Sequence, residues 1–256
     1  MPARNTASAM RLQTVVRDCL YLNWAVPRDV LADPPRPLRY ECHLHAGESW
    51  AFVSALLFHQ SSLRLGPVPL AGLSYPQINL RSYVSDAGTP AVLFHRMLVP
   101  GWAAPAVRLV SRMPCTGARL HLARPSRDTG AEAWAFEARA GEGGLSVTIR
   151  PGGPGLRQGP ELGSWTATTE YFRLRDRGFA SSPAGLRRID TAHETVPLWP
   201  VVAEVAEVGL MAATLGAAGR FEGVLHSAWL CPEIPLSFVT SRAAEPVLPR
   251  RVPAPG

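Results

Sequence analysis

The chain has 256 residues, 46% of them hydrophobic and 18% charged, with a formal net charge of +6. This balance is typical of a globular protein and excludes an intrinsically disordered chain. No apolar run approaches the roughly 18 residues of a membrane-spanning helix, and no N-terminal segment joins a basic start to an apolar core. We therefore expect a cytoplasmic protein without a membrane partner.

The first part of the chain predicts strands. Residues 15–24 form a short apolar run, and residues 38–45 alternate well enough for a strand that ends at the turn 46–48. Residues 50–58 are apolar on both of their alternating faces. That pattern is typical of a central strand that is covered on both sides.

Residues 77–98 predict an antiparallel β-hairpin. In 77–84, apolar residues alternate with a polar face made of Gln77, Asn79, Arg81 and Tyr83. The sequence Asp-Ala-Gly at 86–88 supplies the turn. The returning strand is expected to have Val92, Phe94 and Leu98 on one face. Its other face is expected to carry Leu93, His95 and Met97. Which face of the hairpin points into the protein stays open.

The chain after the hairpin predicts three helices among further strands. Helical spacing covers residues 102–113 and 198–215, and Ser164 is a suitable N-cap for a third helix that ends at Phe172. In the helix at 198–215, the longest, the valines are expected to be buried and the glutamates to face outward. The predicted strands lie at residues 118–122, 132–139, 145–150, 186–193 and 221–230.

The cysteines and histidines do not form a metal-binding pattern. The four cysteines lie far apart and include no Cys-x-x-Cys pair, which argues against a zinc site and gives no support for a disulfide framework. The histidines form isolated pairs, such as His43 with His45, whereas a metal site needs about three converging ligands. We predict no metal and no cofactor.

All 26 basic residues are arginine, and the chain contains no lysine. No side-chain amine is therefore present for Schiff-base catalysis. The arginines are scattered and show no aromatic platform between them and no recognisable nucleic-acid motif. The sequence therefore argues against a nucleic-acid partner, although an interaction surface built on this positive charge stays as an alternative.

The hairpin resembles the signature of the YqjF-like family of uncharacterised proteins. Residues 77–84 read Gln-Ile-Asn-Leu-Arg-Ser-Tyr-Val, against the family pattern Glu-x-Asn-x-Arg-Thr-Tyr-Val, and residues 89–94 follow as Thr-Pro-Ala-Val-Leu-Phe. Shorter matches lie at residues 112–114, 169–171, 193–194 and 197–198. Together they cover about residues 22–230, which is most of the chain.

The resemblance implies an α+β fold similar to that of acetoacetate decarboxylase. That fold is a mostly antiparallel, closed β-barrel with a few flanking helices. We accordingly expect one YqjF-like domain at residues 9–242 and a proline-rich, flexible tail at 243–256.

The same resemblance excludes one reaction. Acetoacetate decarboxylases carry the sequence Pro-Lys-Lys after the corresponding helix, and one of these lysines forms an imine with the substrate. Here that sequence reads Pro114-Cys115-Thr116, and Gln77 stands where the decarboxylases carry a supporting carboxylate. Imine-forming decarboxylation is therefore excluded, whatever the fold.

The polar face of the hairpin is the candidate ligand-binding site. If it lines a cavity, Arg81 beside Asn79 and Tyr83 would clamp a carboxylate or a phosphate through charge-assisted hydrogen bonds. In the alternative interpretation Arg81 is structural, paired with Glu170 or another acid, or is simply solvated. The expected ligand-binding residues are Gln77, Asn79, Arg81, Tyr83, Cys115, Glu170 and His193, and no catalytic residue is assigned.

Three functions stay open from the sequence. The first is a barrel that binds a small anionic organic molecule without catalysis. The second is a lysine-independent enzyme, of lyase or hydrolase type, that acts on an organic acid. The third is an interaction or nucleic-acid module. A buried cavity beside Arg81 would favour the first two, and an acid–base pair inside that cavity would favour the second.

Overall fold

The secondary structure is dominated by long strands, as the alternating sequence predicts. The structure, a computed structural model, describes residues 10–70, 73–111, 113–124, 133–141, 143–152, 159–173, 175–182, 185–215 and 221–245. The strands in these residues are β1 Met10–Pro27, β2 Arg39–Tyr40, β3 Cys42–His45, β4 Glu48–Leu65, β5 Val68–Pro69, β6 Tyr75–Asp86, β7 Thr89–Pro100, β8 Cys115–Ala123, β9 Trp134–Ala140, β10 Gly143–Pro151, β11 Arg177–Ser182, β12 Gly185–His193, β13 Trp199–Glu207 and β14 Val224–Glu245. The helices are α1 Ala104–Ser111, α2 Trp165–Arg173 and α3 Gly209–Leu215, with a 3-10 turn at Arg28–Val30.

The strands form one mixed sheet whose pairings return to their starting point. One circuit runs β1–β4–β6–β7–β11–β12–β14 and back to β1. A second path leaves β7 through β8, β9 and β10 and rejoins β14 through β13. The pairings of β7 with β8 and with β11 are parallel, so the sheet is not purely antiparallel. The β7–β8 pairing is parallel because helix α1 connects these strands and returns the chain to the end of the sheet where β7 began.

Two hydrophobic cores lie on opposite sides of the central strands. The first core includes Tyr21, Phe52, Tyr83, Phe172 and Trp229, and the second core includes Leu20, Val53, Leu80, Phe136 and Leu210. Along β4 successive side chains alternate between these cores. The prediction of a central strand covered on both sides is therefore confirmed.

The predicted hairpin is confirmed, with one irregularity that the sequence did not indicate. β6 pairs antiparallel with β7, and the turn between them contains Ala87 and Gly88 at positive φ. The register shifts between Leu80 and Arg81, which leaves His95 as an extra residue of β7. The bulge turns Met97 to the same side as Phe94 and moves Leu98 to the second core. The expected facing of Leu98 and Met97 was wrong for this reason.

The bulge residue His95 makes stability depend on pH. Burial lowers the pKa of His95 to about 4, and its Nε2 lies 2.9 Å from the Ser82 hydroxyl oxygen. Because the unfolded chain has a pKa near 6.5 for this group, it binds more protons than the folded state between those values. We expect this contribution, on the order of 1–3 kcal/mol after allowing for the partial exposure of His95, to be complete above pH 6.5 and lost as pH falls towards 4.

Urea unfolding at pH 7 and at pH 4.5 measures this dependence. The variant His95→Gln retains a hydrogen-bonding group towards Ser82 and should lose less stability on acidification than the wild type. His43 and His59, whose pKa values are also lowered by burial, contribute in the same direction in both proteins. Equal losses in wild type and variant would show that His95 is not responsible.

The prediction of one long helix at residues 198–215 was wrong. The segment splits into strand β13, which pairs with β10, and the short helix α3. Val201 is buried and Val202 is 45% exposed, which is the two-residue alternation of a strand. β-branched valines favour that conformation, and the valine spacing also fits a helical stripe, so periodicity alone did not distinguish the two.

The remaining elements follow the sequence closely. The three-stranded meander β8–β9–β10 is confirmed. So is helix α2, whose N-cap Ser164 accepts a hydrogen bond from the Ala167 backbone N–H. β14 reaches Glu245, so the tail predicted from residue 243 overlaps the strand; residues 246–256 lie outside the described residues. No helix in the described ranges combines the length and apolar character needed to cross a bilayer.

Candidate functional site

A cavity of about 100 Å³ lies in the first core, beside the N-terminal half of β6. Its wall is mostly apolar because the strands around it turn their hydrophobic faces inward. The lining residues are Leu12, Phe58, Gln60, Leu63, Leu73, Tyr75, Gln77, Asn79, Phe94, Met97, Ala106, Val107, Ser111, Met113, Ile189, Thr191, Leu236 and Phe238.

One wall of the cavity carries amide side chains. Gln77 Nε2 donates a hydrogen bond of 2.7 Å to Asn79 Oδ1, so these two residues hold each other in place. On the neighbouring strand β4, Gln60 Nε2 donates to the Thr14 hydroxyl, also at 2.7 Å. The structure thus places Gln77 and Asn79, two of the expected ligand-binding residues, on the cavity wall.

Arg81 and Tyr83 lie on the same face of β6 as Gln77 and Asn79 but are not among the lining residues. Arg81 is only 8% exposed. Its Nη2 donates to the Phe172 carbonyl oxygen at 2.9 Å and to the Tyr83 hydroxyl at 3.2 Å. Its Nε is buried and has no hydrogen-bond partner among the described residues. The polar face is therefore inside the protein, which answers the question that the sequence left open.

The guanidinium of Arg81 is a buried cation without an acidic partner in the described residues. The rings of Tyr21 and Tyr83 lie 5.6 and 5.5 Å from its central carbon, and the C-terminal end of α2 offers a partial negative charge through the Phe172 carbonyl. Burial raises the pKa values of Tyr21 and of the neighbouring Cys19 thiol, so both are neutral at neutral pH. Among the residues that the structure describes, no full negative charge therefore balances Arg81.

A buried chain of hydrogen bonds holds Tyr83 in place. Because Ser54 donates to Asn23 Oδ1 at 2.6 Å, its oxygen accepts the Tyr83 hydroxyl proton at 2.8 Å. Asn23 Nδ2 donates in turn to Ser227 Oγ at 3.2 Å. Ser227 Oγ lies 3.2 Å from Nδ1 of His226, whose Nε2–H donates to the Pro160 carbonyl. Every donor in this chain points away from Arg81.

Two other expected site residues, Glu170 and Cys115, are not among the residues that line the cavity. Glu170 is exposed on α2 and forms no ion pair with Arg81, so the alternative interpretation in which these two residues pair is wrong. Cys115 is buried at the start of β8, where burial raises the pKa of its thiol against the opposing effect of the Arg108 charge. The Cys115 carbonyl accepts a 2.7 Å hydrogen bond from Arg108 Nε. The side chain of His193, the remaining expected residue, lies outside the described residues.

Sequence reasoning missed most of the cavity wall. The lining comes from strands β1, β4, β7, β12 and β14 as well as β6, and nothing local in the sequence shows that these strands meet. Gln60 carried the one usable signal, as a polar residue near the end of a long apolar strand. In the described part of the chain, no three His, Cys, Asp or Glu side chains converge in a way that would hold a metal ion.

Solved structures share this fold. The enduracididine biosynthesis enzyme MppR complexed with pyruvate has a TM-score of 0.55 at 11% identity, covering 92% of this chain and 90% of MppR. An acetoacetate decarboxylase-like enzyme from Sphingomonas wittichii RW1 has a TM-score of 0.52 at 14% identity, covering 95% of each chain. Acetoacetate decarboxylase from Legionella pneumophila has a TM-score of 0.54 at 12% identity, covering 97% of this chain and 92% of that one. At such identities the likeness shows the fold alone.

Sequence comparison identifies the family. No curated protein matches the chain. The family DUF2071, described as an uncharacterized conserved protein (COG2071), matches residues 13–231, which is most of the chain and includes β6, β7 and the cavity wall they contribute. This match agrees with the resemblance carried by the hairpin. The chain therefore belongs to the DUF2071 family, with an acetoacetate decarboxylase-like fold.

Proposed function

We propose that the protein binds a small organic acid in the cavity beside β6. The observation that carries the proposal is the buried, positively charged Arg81, which has no acidic partner among the described residues and lies two residues from the cavity residue Asn79. Residues i and i+2 of a strand are roughly 7 Å apart on one face. A cation at that distance in a poorly solvated interior favours an anion in the cavity over a cation.

The composition of the cavity wall supports a mainly apolar ligand with one polar end. Aromatic and aliphatic side chains such as Phe58, Met97 and Phe238 cover most of the wall. The amides of Gln77 and Asn79 sit on one side of it, on the same face of β6 as Arg81. A carboxylate is best placed against this side, with the hydrocarbon part of the ligand against the opposite wall.

We further infer that the circuits of strand pairing form a closed barrel around this cavity. Seven strands pair in an unbroken ring, so each central strand has a partner on both edges. A closed ring supplies a rigid wall and excludes water from the interior, which suits a small binding cavity.

Binding is better supported than catalysis. Tyr75 is the one titratable side chain among the lining residues, and burial raises its pKa to about 12. The described residues thus place no acid–base pair on the cavity wall. The alternative of a lysine-independent lyase or hydrolase rests on the enzymes that share the fold. An interaction module would bind its partner at the surface, and this would not explain a buried Arg81.

The proposal predicts that Arg81→Met weakens the binding of small carboxylates. Loss of a charge-assisted interaction should reduce affinity roughly ten- to a hundredfold, which is about 1.5–3 kcal/mol. A thermal-shift titration with propionate, pyruvate and lactate, followed by calorimetry, measures the effect. Propionamide, the neutral counterpart of propionate, should bind wild type and Arg81→Met equally.

Two further variants make the result specific. Arg81→Ala should lose binding as Arg81→Met does, with both variants melting close to the wild type. Arg96→Met removes an arginine from the other face of the hairpin, beside Leu80, and should bind carboxylates normally. If Arg81→Met and Arg81→Ala lose stability and no carboxylate binds the wild type, Arg81 has a structural role and the proposal is wrong.

A further inference from the structure

The paired amides of Gln77 and Asn79 present both a donor and an acceptor to the cavity. Their mutual hydrogen bond uses Gln77 Nε2 and Asn79 Oδ1. No other described residue hydrogen-bonds Gln77 Oε1 or Asn79 Nδ2, and neither atom is sealed from solvent, so both are free to meet a ligand. Reversing both amide orientations exchanges the donor and acceptor roles of the two residues. One carbonyl oxygen and one NH₂ group are still free. The donor and acceptor therefore do not depend on how the amides are assigned.

A simple carboxylate can hydrogen-bond the free donor of the two amides but not their free acceptor. Carboxylate oxygens accept hydrogen bonds, so they are suited to the free amide NH₂ group but not to the free carbonyl oxygen. A ligand that fills the cavity displaces water from this carbonyl, and the lost hydrogen bond has a free-energy cost unless the ligand supplies a donor. A keto acid offers another acceptor and an unsubstituted acid offers nothing at this position.

We propose that the cavity selects a small hydroxy acid, with its carboxylate on the amide NH₂ group and its hydroxyl donating to the amide carbonyl. This inference rests on the proposed function and defines its ligand class. An amino acid would also supply a donor, but its ammonium group would lie near the Arg81 cation, and the cavity lining contains no aspartate or glutamate among the described residues to balance it. A neutral hydroxyl avoids that repulsion.

The size of the cavity limits the length of the ligand. An engineered apolar cavity of about 150 Å³ accommodates benzene, which has six heavy atoms. The present volume of about 100 Å³ therefore suits roughly four to six heavy atoms. Lactate, pyruvate and propionate fit this range, and they differ only in whether the carbon next to the carboxylate carries a hydroxyl, a carbonyl or hydrogen.

Calorimetric titration of these three acids, with both enantiomers of lactate, tests the inference on the wild-type protein. One enantiomer of lactate should bind about five- to fiftyfold more tightly than pyruvate or propionate. The double variant Gln77→Met/Asn79→Leu keeps the cavity at a similar volume. In this variant the preference should disappear while the melting temperature stays near that of the wild type.

The outcomes distinguish this inference from the proposed function. If the three acids bind with similar affinity, or pyruvate binds most tightly, the cavity binds organic acids but does not select a hydroxyl. If the double variant keeps the preference for lactate, the selecting groups are not these amides and the inference is also wrong. If none of the acids binds the wild type, the proposed function itself fails and the inference fails with it.

Discussion

Replacing Glu41 by glutamine is expected to lower the free energy of unfolding by about 3–5 kcal/mol. The Glu41 carboxylate accepts hydrogen bonds from both terminal nitrogens of Arg175, at 3.1 and 2.8 Å. The two side chains are 17% and 5% exposed. Since the pair is largely removed from water, the variant leaves a second buried guanidinium without a negative partner, in addition to Arg81. Urea unfolding at neutral pH measures the loss.

Two controls separate the buried charge from a general effect of mutation. Glu204→Gln breaks an exposed ion pair with Arg150 and should cost less than about 1 kcal/mol. The double variant Glu41→Leu/Arg175→Met removes both charges and should regain most of the stability, because no unpaired ion is then left at this position. If Glu41→Gln costs no more than Glu204→Gln, the pair is more hydrated than its geometry indicates.

Phe172→Ala is expected to destabilise the protein by about 3–5 kcal/mol. The Phe172 side chain is fully buried and lies at the centre of the first core. Its ring centre is 5.0 Å from that of Tyr83, 5.1 Å from Phe52 and 5.6 Å from Trp229. Removing the ring opens a cavity that these rigid aromatic side chains fill poorly. Thermal and urea unfolding should both report the loss.

The milder variant Phe172→Leu keeps most of the apolar volume and should cost about 1.5 kcal/mol. Its backbone carbonyl still accepts the hydrogen bond from Arg81, so carboxylate binding should survive in this variant. A loss for Phe172→Ala no larger than that for Phe172→Leu would show that the first core rearranges to fill the space.

The hairpin and the meander were predictable because their signals are local. In β6, alternation and a turn with Gly88 after it specify two paired strands within about twenty residues of sequence. The N-cap Ser164 is likewise a local signal, because it acts within the first turn of α2. The polar face that contains Arg81 was identified for the same reason, since its side chains follow one another at every second position.

The rest of the site depends on contacts that sequence patterns do not report. The bulge at His95 changes which side chains of β7 face the cavity, and no residue type in that segment requires a bulge. The cavity wall joins β6 to strands far away in the sequence, including β12 and β14. The carbonyl of Phe172 reaches Arg81 only because α2 packs across the first core, and no sequence pattern indicates that contact.

The pairing of β1 with β14 has a consequence for how the chain folds. Met10 is aligned with Thr240 and Leu20 with Leu230, so β1 pairs with residues that are synthesised 210 to 230 positions later. Contacts this distant in sequence have a large loop-closure entropy and slow the search for the native state, to milliseconds or longer for β-rich folds. During translation, the edge of β1 that β14 will cover is open to pairing with other chains. Rapid synthesis of the residues up to β14, or a chaperone that shields this edge, should therefore raise the yield of folded protein.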